Sequence, residues 1–576
     1  MKSALTTAGP ATAAAFLEPG APSLRVPRED RAILSVPPLE ALPALAEANA
    51  AAVADGSAAA GLNVQGRPLG ALRDWTRRTI LPGAALYTRS LGVTVEDPDP
   101  AAPLIAGGHQ PELFHPGVWA KNFALGRVAR QLSSPESRGT ALNLVIDSDL
   151  LPGTRVRVPA GTRRAPAVES VPFDADRSPR PWSEAAVRDP ILFDSFGLRL
   201  AEKLAPFGLR PLAADHWGRA CCGDRLAHRL TAFRRGVEGE WGLSNLEIPI
   251  GAVCESEPFL WFAGHLIAHA ARLREDHNAA LDDYRDRAGV KAENRPVPPL
   301  SRVASKAAGE AIELPFWVWD ESNPTRRRVF VRSVGRNRMA LSDGPPDEAE
   351  DFVEFPLSES MDACCVVEAL KRLPSRGVRL RTRALATTLF ARLCLGDLFL
   401  HGIGGATYDA VTDGIVRRFF GIEPPAYAAV SATALLPFAE PFGADPAGVG
   451  ALERRLRDLR FNPDRHLPTP PPVAAQSLID RKEALIAEQR DAAVHGLSRT
   501  ERRARTPANA ARREELNAVN AALAQFVAEQ SAAARAELAD LEERLAADKL
   551  LTSREFSFAV FPEEVLRPFL TGILNG

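Results

Sequence analysis

The stretch LIAGGHQPELFHPGVWAKNFALGR (residues 104–127) decides how this chain is read. A short apolar run, Leu104-Ile105-Ala106, ends at Gly107-Gly108. His109, Gln110, Glu112 and His115 follow, then the turn pair Pro116-Gly117, then Trp119 and Lys121. From Phe123 a helical pattern of apolar positions begins (Leu125, Val128, Leu132). The physical translation is buried strand, glycine turn, polar loop and helix. Such a junction gathers backbone N–H groups and a helix N-terminus where an anion can bind. It has neither Walker spacing nor Gly-x-Gly-x-x-Gly, so neither of those phosphate-binding mechanisms applies.

Downstream, ALNLVIDSD (residues 141–149) is an apolar run closed by Asp147 and Asp149. Strand, helix, strand is a βαβ unit, which implies a parallel sheet. Ligands of open α/β sheets sit at the carboxyl ends of strands. His109 and Asp147 both fall at such ends and can line one crevice. A carboxylate there holds a metal–phosphate or a substrate amine, or merely caps the next loop.

A second dense stretch spans residues 380–420. A helical pattern runs into Leu398–Leu400, and then come His401-Gly402-Ile403-Gly404-Gly405 and a helix read from Tyr408-Asp409. Asp397, His401 and Asp409 flank this loop. Three glycines in four positions allow close backbone approach to a ligand. Two Gly/His loops, each opening a helix, point to a phosphate-bearing ligand between them.

The 576 residues suffice for two to four domains with a large core. A net charge of -2 gives no general attraction to nucleic acid. No apolar run approaches the roughly 20 residues that cross a bilayer, so no membrane association is expected. Residues 1–30 read as a disordered tail without a secretory signal, which makes a cytoplasmic location the default. Of the six cysteines, Cys221-Cys222 and Cys364-Cys365 are adjacent, and Cys254 and Cys394 stand alone. Without Cys-x-x-Cys spacing they read as reduced structural thiols, not a zinc site.

The rest of the chain reads as follows. Helices are expected over 38–54 and 69–91, the latter with Trp75, Ile80 and Leu86 as apolar positions. A core over 31–435 carries a helical insertion at about 215–300. Within it His265 and His269 have a chelating spacing, but the surrounding Trp261, Phe262, Leu266 and Ile267 argue for a packed face. A strand over 313–319 pairs with 326–331 as a hairpin, with the arginine run 326–328 as a solvated edge. Residues 436–475 are Pro-rich and read as a linker. Residues 476–551 read as an antiparallel coiled-coil hairpin with a seam at Leu516, Val519, Leu523, Phe526, Ala534, Leu538, Leu541 and Leu545. Its basic tip (Arg499, Arg502, Arg503, Arg505) is solvated, and its spare apolar stripe predicts a homodimer. The tail 552–576 returns to the core, with Phe556, Phe558 and Val560 alternating as an edge strand.

This order resembles the bacillithiol biosynthesis cysteine-adding enzyme family, of which the chain would be a divergent member. Gly108-His109-Gln110-x-x-Leu113-Phe114 resembles that family's Gly-Gln-Gln-x-x-Leu segment. Asp147/Asp149 resembles its Glu-Asp-His-Asp stretch, and His401-Gly402-Ile403-Gly404-Gly405 its Gly-Gly-Pro-Gly loop. The chain departs at His109, where the family has Gln, and at His115-Pro116-Gly117, where it has Thr-Gly-Pro. The lysine is displaced, and the acidic motif lacks its Glu and His.

The resemblance implies an α/β fold with a Rossmann-like parallel-sheet core akin to nucleotidyltransferases and class I synthetases. It also implies a dimerising C-terminal hairpin and a nucleotide-sized pocket. The activity implied is ATP-dependent ligation, with cysteine joined to the amine of glucosaminyl malate, and Mg²⁺ as a companion of ATP. On this reading His109 and His115 stabilise phosphate charge or move a proton. Lys121 pairs with a phosphate oxygen, and Asp147 or Asp149 holds the amine or Mg²⁺. Gly107, Gly108, Gln110, Gly117, His401, Gly402, Gly404, Gly405 and Asp409 line the nucleotide and substrate. The same loops serve nucleotidyl transfer to another acceptor, or a non-catalytic nucleotide-binding scaffold that recruits a partner through the hairpin.

Overall fold

The structure is a computed structural model and describes residues 24–54, 56–175, 179–221, 223–292, 294–305, 309–491 and 499–576. Most of the expected N-terminal tail (1–23), Cys222 and most of the junction before the hairpin's second arm (492–498) lie outside the described residues. So do the side chains of Arg502, Arg503 and Arg505. The chain divides into two units: Met1–Val158, Glu169–Leu436 and Arg554–Gly576 form one, Pro159–Val168 and Pro437–Ser553 the other.

The first unit is built on a six-stranded sheet. Its strands are β1 (Ile33–Val36), β2 (Leu104–His109), β3 (Thr140–Val145), β4 (Leu246–Pro249), β5 (Leu398–His401) and β6 (Tyr427–Ala432). The spatial order is β1-β6-β5-β2-β3-β4. All neighbours are parallel except β1, which runs antiparallel to β6. The chain starts its parallel strands in the middle, at β2, lays β3 and β4 to one side, then β5 and β6 to the other. The direction of succession therefore reverses between β2 and β5.

These strands are nearly continuous apolar runs because helices cover both faces of the sheet. On one face α3 (Pro116–Gln131) packs over β2, β3 and β6. Gly107 makes this approach close: a Cβ there would lie 3.1 Å from a Leu125 methyl and 3.3 Å from the Leu400 carbonyl. On the other face Leu104, Ala106, Leu142 and Leu144 join Ile80 and Leu81 of α2 (Leu69–Ser90) and Phe259 and Phe262 of α5 (Glu257–Ala268). Between β4 and β5 the chain inserts a second, antiparallel sheet. Its strands are Arg302–Ser305, Gly309–Asp320, Asn323–Gly335, Arg338–Ser342, Asp351–Pro356 and Val378–Thr382.

In the second unit α8 (Ala447–Phe461), α9 (Val473–Asp491), α10 (Arg499–Ala524) and α11 (Ala528–Leu551) form two pairs. Arg481 bonds Glu515 and Arg512 faces Glu488, so α9 and α10 are antiparallel; they bury Ala475, Leu485, Val519 and Leu523. Arg455 faces Glu537 while Gly448 abuts Leu541, so α8 and α11 are antiparallel too.

Several expectations need correction. The region 215–300 is not wholly a helical insertion, because it contains β4, a strand of the main sheet. The expected linker 436–475 contains α8, whose Leu452 and Leu459 are buried. Leu86 is exposed, not part of an apolar stripe. Residues 24–30 are tied to the sheet: the Pro27 carbonyl accepts the Thr433 hydroxyl and Asp30 accepts the Leu435 N–H. The expected edge strand at 556–560 is a single 3₁₀ turn, Phe558–Val560, followed by the helix Glu563–Asn575 packed on α3. Its Phe558 N–H bonds the Phe114 carbonyl at 2.8 Å. His265 is buried against His269, Phe419 and Phe420, as a packed helix face requires. Cys254, Cys364, Cys365 and Cys394 are free thiols, and no described helix is long and apolar enough to cross a membrane.

Asp397 does not flank the glycine loop. It precedes β5, at the opposite edge of the sheet from His401. There its carboxylate takes Arg73 at 2.6 Å, Arg77 at 2.7 Å and the Leu104 N–H at 2.7 Å, fastening α2 to the start of β2. All three side chains are buried. Asp397→Ala leaves two guanidinium groups buried without their carboxylate, and the expected loss is about 3–5 kcal/mol of unfolding free energy. Urea denaturation measures it; a loss below about 1 kcal/mol, the range of exposed pairs, would contradict the clamp.

Candidate active site at the carboxyl edge of the parallel sheet

The reversal between β2 and β5 leaves a crevice position at the carboxyl ends of these strands. The ladder pairs Leu400 with Gly107 and His109 with Val145. His401 therefore falls level with Gly108, one residue short of His109. The structure thus brings the two Gly/His segments side by side. Gly107 and Gly108 do not form a turn, however; β2 runs through both to His109.

The first loop is committed to the protein itself. Gln110 Nε2 donates to Asp149 Oδ2 at 2.7 Å, bridging the ends of β2 and β3. Glu112 lies near Asp149, and burial together with that negative charge raises its carboxyl above the usual range. His115 is the N-cap of α3: its Nδ1 accepts the Gly117 N–H at 3.1 Å, and the Val118 N–H takes the His115 carbonyl. Pro116 has no N–H to offer. This helix N-terminus is therefore already satisfied and is not the free anion cradle expected from the sequence. Burial, with Arg554 adding its charge, lowers the His115 imidazole to about 4, so the ring is neutral near pH 7. Arg554 Nη2 lies 3.1 Å from His115 Nε2.

His109 is buried and turned toward α3. Its Nδ1 lies 3.0 Å from the Gln110 carbonyl and its Nε2 3.2 Å from Asn122 Oδ1. Burial, then the charges of Arg234 and Lys121, hold its pKa well below the ordinary histidine value. A neutral ring donates to only one of these two oxygens. Neither histidine of the first loop thus supplies the positive charge expected of it.

Behind β2 lies a buried polar network. Glu238 Oε1 takes Trp119 Nε1, Asn122 Nδ2 and Arg234 Nη1, each at 2.7 Å. Arg234 also grips Glu247 through both of its terminal nitrogens, at 3.0 and 2.8 Å. Arg235 bonds the backbone carbonyls of Asn245 and Leu243. Two guanidiniums thus stand against two carboxylates, and Lys121 is left without a counter-charge. Lys121 is 3% exposed, donates to the Gly108 carbonyl at 2.5 Å, and has no carboxylate partner among the described residues. Burial, reinforced by Arg234, lowers its ammonium to about 7. Lys121 is therefore a titrating amine at neutral pH, not the permanent phosphate cation expected.

Asp147 turns toward β4, where its Oδ1 accepts the Gly251 N–H at 3.0 Å. Burial raises its carboxyl to about 6, against the pull of Arg381 and of that hydrogen bond. Asp149 is half-exposed and divides itself between Gln110 and Arg326, whose Nη1 is 3.1 Å away.

The second loop is the open one. The helix α7 (Ile403–Ile415) starts five residues earlier than the sequence pattern indicates, so Gly404 and Gly405 lie in its first turn. The N–H groups of Ile403, Gly404 and Gly405 have no intrahelical acceptor. A Cβ at Gly402 or Gly404 would meet nothing within 4 Å; one at Gly405 would strike His401 Nδ1 at 2.7 Å. Asp409 is not a ligand contact. It is buried under His401, accepting its Nε2–H at 2.9 Å and Arg392 Nη1 at 2.7 Å. Burial alone would raise the Asp409 carboxyl, but Arg392 and His401 outweigh it and hold it well below the usual range. The neighbouring Tyr408 hydroxyl is pushed up to about 12 by burial, Asp409 and Asp149. That places α7 within electrostatic reach of the β3 end.

Sequence reasoning missed Arg234, Glu238, Arg326, Arg381, Arg392 and Arg554. Each meets its partner across the fold or from a helix interior, where local spacing carries no signal. Among the described residues, no group of three or more His, Cys, Asp or Glu side chains is placed to hold a metal.

Two outcomes follow from this geometry. Lys121 has a lowered folded pKa, so the native state binds fewer protons than the unfolded state between about pH 7 and 10.5. The penalty is full below pH 7 and fades as pH rises through that window. Lys121→Met should therefore stabilise the protein at pH 6 by a few kcal/mol at most, with the gain shrinking toward pH 10 in urea titrations. A gain independent of pH would contradict the assignment. Gly117→Ala would drive a Cβ to 2.2 Å from the Ala432 carbonyl and 2.8 Å from Arg554 Nη2. It should cost about 1–3 kcal/mol as an overpacked site, read as a lowered Tm; an unchanged Tm would show that β6 and α3 can part.

No protein-family model matches this chain, and no curated protein matches its sequence. The functional reading of the site therefore rests on its residues and their geometry.

Proposed function

We propose that the carboxyl edge of the parallel sheet holds the phosphates of ATP beside an amine-bearing substrate. The chain is then an ATP-dependent ligase that joins an amino acid to an amino-sugar-type amine. The observation that carries this reading is the layout at the strand-order reversal. There α7 opens with three uncommitted N–H groups and no Cβ at Gly402 or Gly404, beside the end of β2, whose Gly108 carbonyl takes Lys121 from α3. We read the β4-β3-β2-β5-β6 order as a Rossmann-like core, in which phosphates sit at such an N-terminus.

The residues fit the nucleotide. Arg554 Nη1 is buried without a hydrogen-bond partner near the β6 end, where a phosphate oxygen can satisfy it. ATP, when bound, supplies the activation that a carboxylate needs before an amine can displace its oxygen. The amides of Ile403, Gly404 and Gly405 would hold its phosphates. Gln110 and Asp149, already bonded to each other, orient the amine at the β2 and β3 ends. An amine enters as an ammonium ion and must lose a proton to attack; Lys121, titrating near 7, takes it. A Mg²⁺ ion would be carried chiefly by the phosphates, with Asp149 as a protein oxygen within reach.

The resemblance to the bacillithiol cysteine-adding family supports cysteine as the amino acid and a low-molecular-weight thiol precursor as the product. It also supports a cytoplasmic homodimer formed through the helices of the second unit. These assignments rest on fold-level analogy and on short motifs.

Gly404→Asp tests the reading without disturbing the fold. An acidic residue in the first turn of a helix is stabilising, and the added side chain meets open space. Calorimetry with ATP and Mg²⁺ should show binding to wild type and binding weakened at least tenfold, about 1.4 kcal/mol, in the variant, whose Tm is unchanged or raised. No ATP binding to folded wild type would end the ATP-dependent reading. Where ATP binds, consumption that requires both cysteine and glucosaminyl malate identifies the ligase; binding without turnover identifies a scaffold.

A further inference from the structure

Of the arginine run 326–328, Arg327 and Arg328 are solvated as the sequence indicates, at 38% and 53% exposed, but Arg326 is turned inward at 18%. One face of the second sheet is turned to the carboxyl ends of β3 and β4. Arg326 Nη1 reaches Asp149 Oδ1 and the Ser148 carbonyl at 3.1 and 3.3 Å. Arg381 lies beside Gly251, where a Cβ would sit 3.3 Å from its Nε and 3.1 Å from Asp147 Oδ2. Trp317 lies on the same face. The Arg383 guanidinium stands 4.2 Å from its ring centre and that of Arg326 4.9 Å. Arg328 is the cross-strand partner of Trp317.

Around Trp317 the three guanidiniums of Arg326, Arg328 and Arg383 face two carboxylates, Glu313 and Asp149, while Arg381 has Glu255 at 2.6 Å. Glu313 is shared by Arg383 at 2.8 Å, Arg328 at 3.3 Å and the Ser301 hydroxyl at 2.5 Å. Asp149 is shared by Arg326 and Gln110. Two guanidinium nitrogens, Arg383 Nη2 and Arg381 Nε, are buried with no hydrogen-bond partner. The side chains that carry them are 13% and 5% exposed. A buried donor left unsatisfied costs about 1–3 kcal/mol, more when charged. Guanidiniums stacked on an indole are held flat, with the fork presented for two parallel hydrogen bonds.

We infer that Arg326, Arg328 and Arg383 around Trp317 form the subsite for an oxyanion carried by the substrate, a carboxylate or a phosphate. The subsite lies next to the reacting edge and selects for acidic substrates. The inference rests on the reading of the strand ends as the reaction edge, because Asp149 belongs to both. The basic run thereby acquires a use that the nucleotide does not need.

The test is calorimetry of the full-length protein at low ionic strength with succinate, citrate and inorganic phosphate, each titrated separately. Wild type is compared with Arg383→Gln, with Arg383→Lys, which keeps the charge but not the fork, and with Arg338→Gln. Arg338 belongs to the same sheet but pairs with Glu354 at the surface. The expected result is binding of at least one probe, weakened tenfold or more by both Arg383 variants and unchanged by Arg338→Gln. Binding confined to succinate or citrate assigns the group as a carboxylate; binding confined to phosphate assigns a phosphate. No binding of any probe to folded wild type, or binding that Arg383→Gln leaves intact, overturns the subsite. ATP titrations of the same samples keep the two readings apart. ATP binding that persists where oxyanion binding fails removes only the subsite; the reverse removes only the nucleotide reading.

Discussion

Parallel strands cannot be joined by hairpins, and this constraint organises the first unit. Each of β2 to β6 must return over a face of the sheet before the next begins, so all their carboxyl ends emerge on one edge. Because the chain begins in the middle and fills both sides in turn, its returns diverge at one place only, between β2 and β5. Everything polar that the strands deliver is concentrated there: His109, Gln110, Asp147, Asp149, His401 and the start of α7. The opposite edge is closed by Asp397, which fastens α2 to the start of β2 with three hydrogen bonds. The sheet is thus tied at its amino edge and left open at its carboxyl edge.

Burial then decides which of the gathered groups carry charge. Desolvation costs several kcal/mol per ion unless a partner offsets it. Arg234 secures two carboxylates and keeps its charge; Glu238 and Glu247 are held by it. His109, His115 and Lys121 find only carbonyls, an amide and other cations, so each is shifted toward neutrality. The consequence is a division of labour. Guanidiniums at the edge come from Arg326, Arg381 and Arg554, and the groups shifted toward neutral pH are Lys121, to about 7, and Asp147, to about 6. The histidines, which look like the chemical residues in the sequence, serve as a cap, a wedge and a pillar.

The central βαβ unit was legible because its signals are local. An apolar triplet before Gly-Gly, a Pro-Gly pair before a helical pattern, and an apolar run closed by aspartates all lie within 50 residues. The strand β4 was not, because four residues of Leu-Glu-Ile-Pro inside a helix-rich region have no periodicity of their own. The helix α8 was hidden by the prolines and glycines that surround it. The start of α7 was misplaced by five residues because Gly-x-Gly-Gly argues for a loop, whereas here the helix tolerates those glycines and Gly405 makes room for the His401 ring. Among site residues, those at strand ends were found. Arg554 meets His115 across 439 positions, and Arg326 meets Asp149 across 177; no spacing rule reaches that far.

The residues of the first loop divide by what they face. At Gly108-His109-Gln110, Gln110 points to Asp149 across the strand ends, while His109 points inward to Asn122. At the start of α3 stands His115, whose Nδ1 accepts the Gly117 N–H. That is the hydrogen bond a threonine N-cap makes, and the imidazole that makes it here turns its other nitrogen to the protein behind it. There Arg554 Nη2 lies 3.1 Å from His115 Nε2, while its Nε and Nη1 are buried with no hydrogen-bond partner. Gln110 and Asp149 thus meet at the strand ends, while both histidines of the first loop are held by the protein behind that edge.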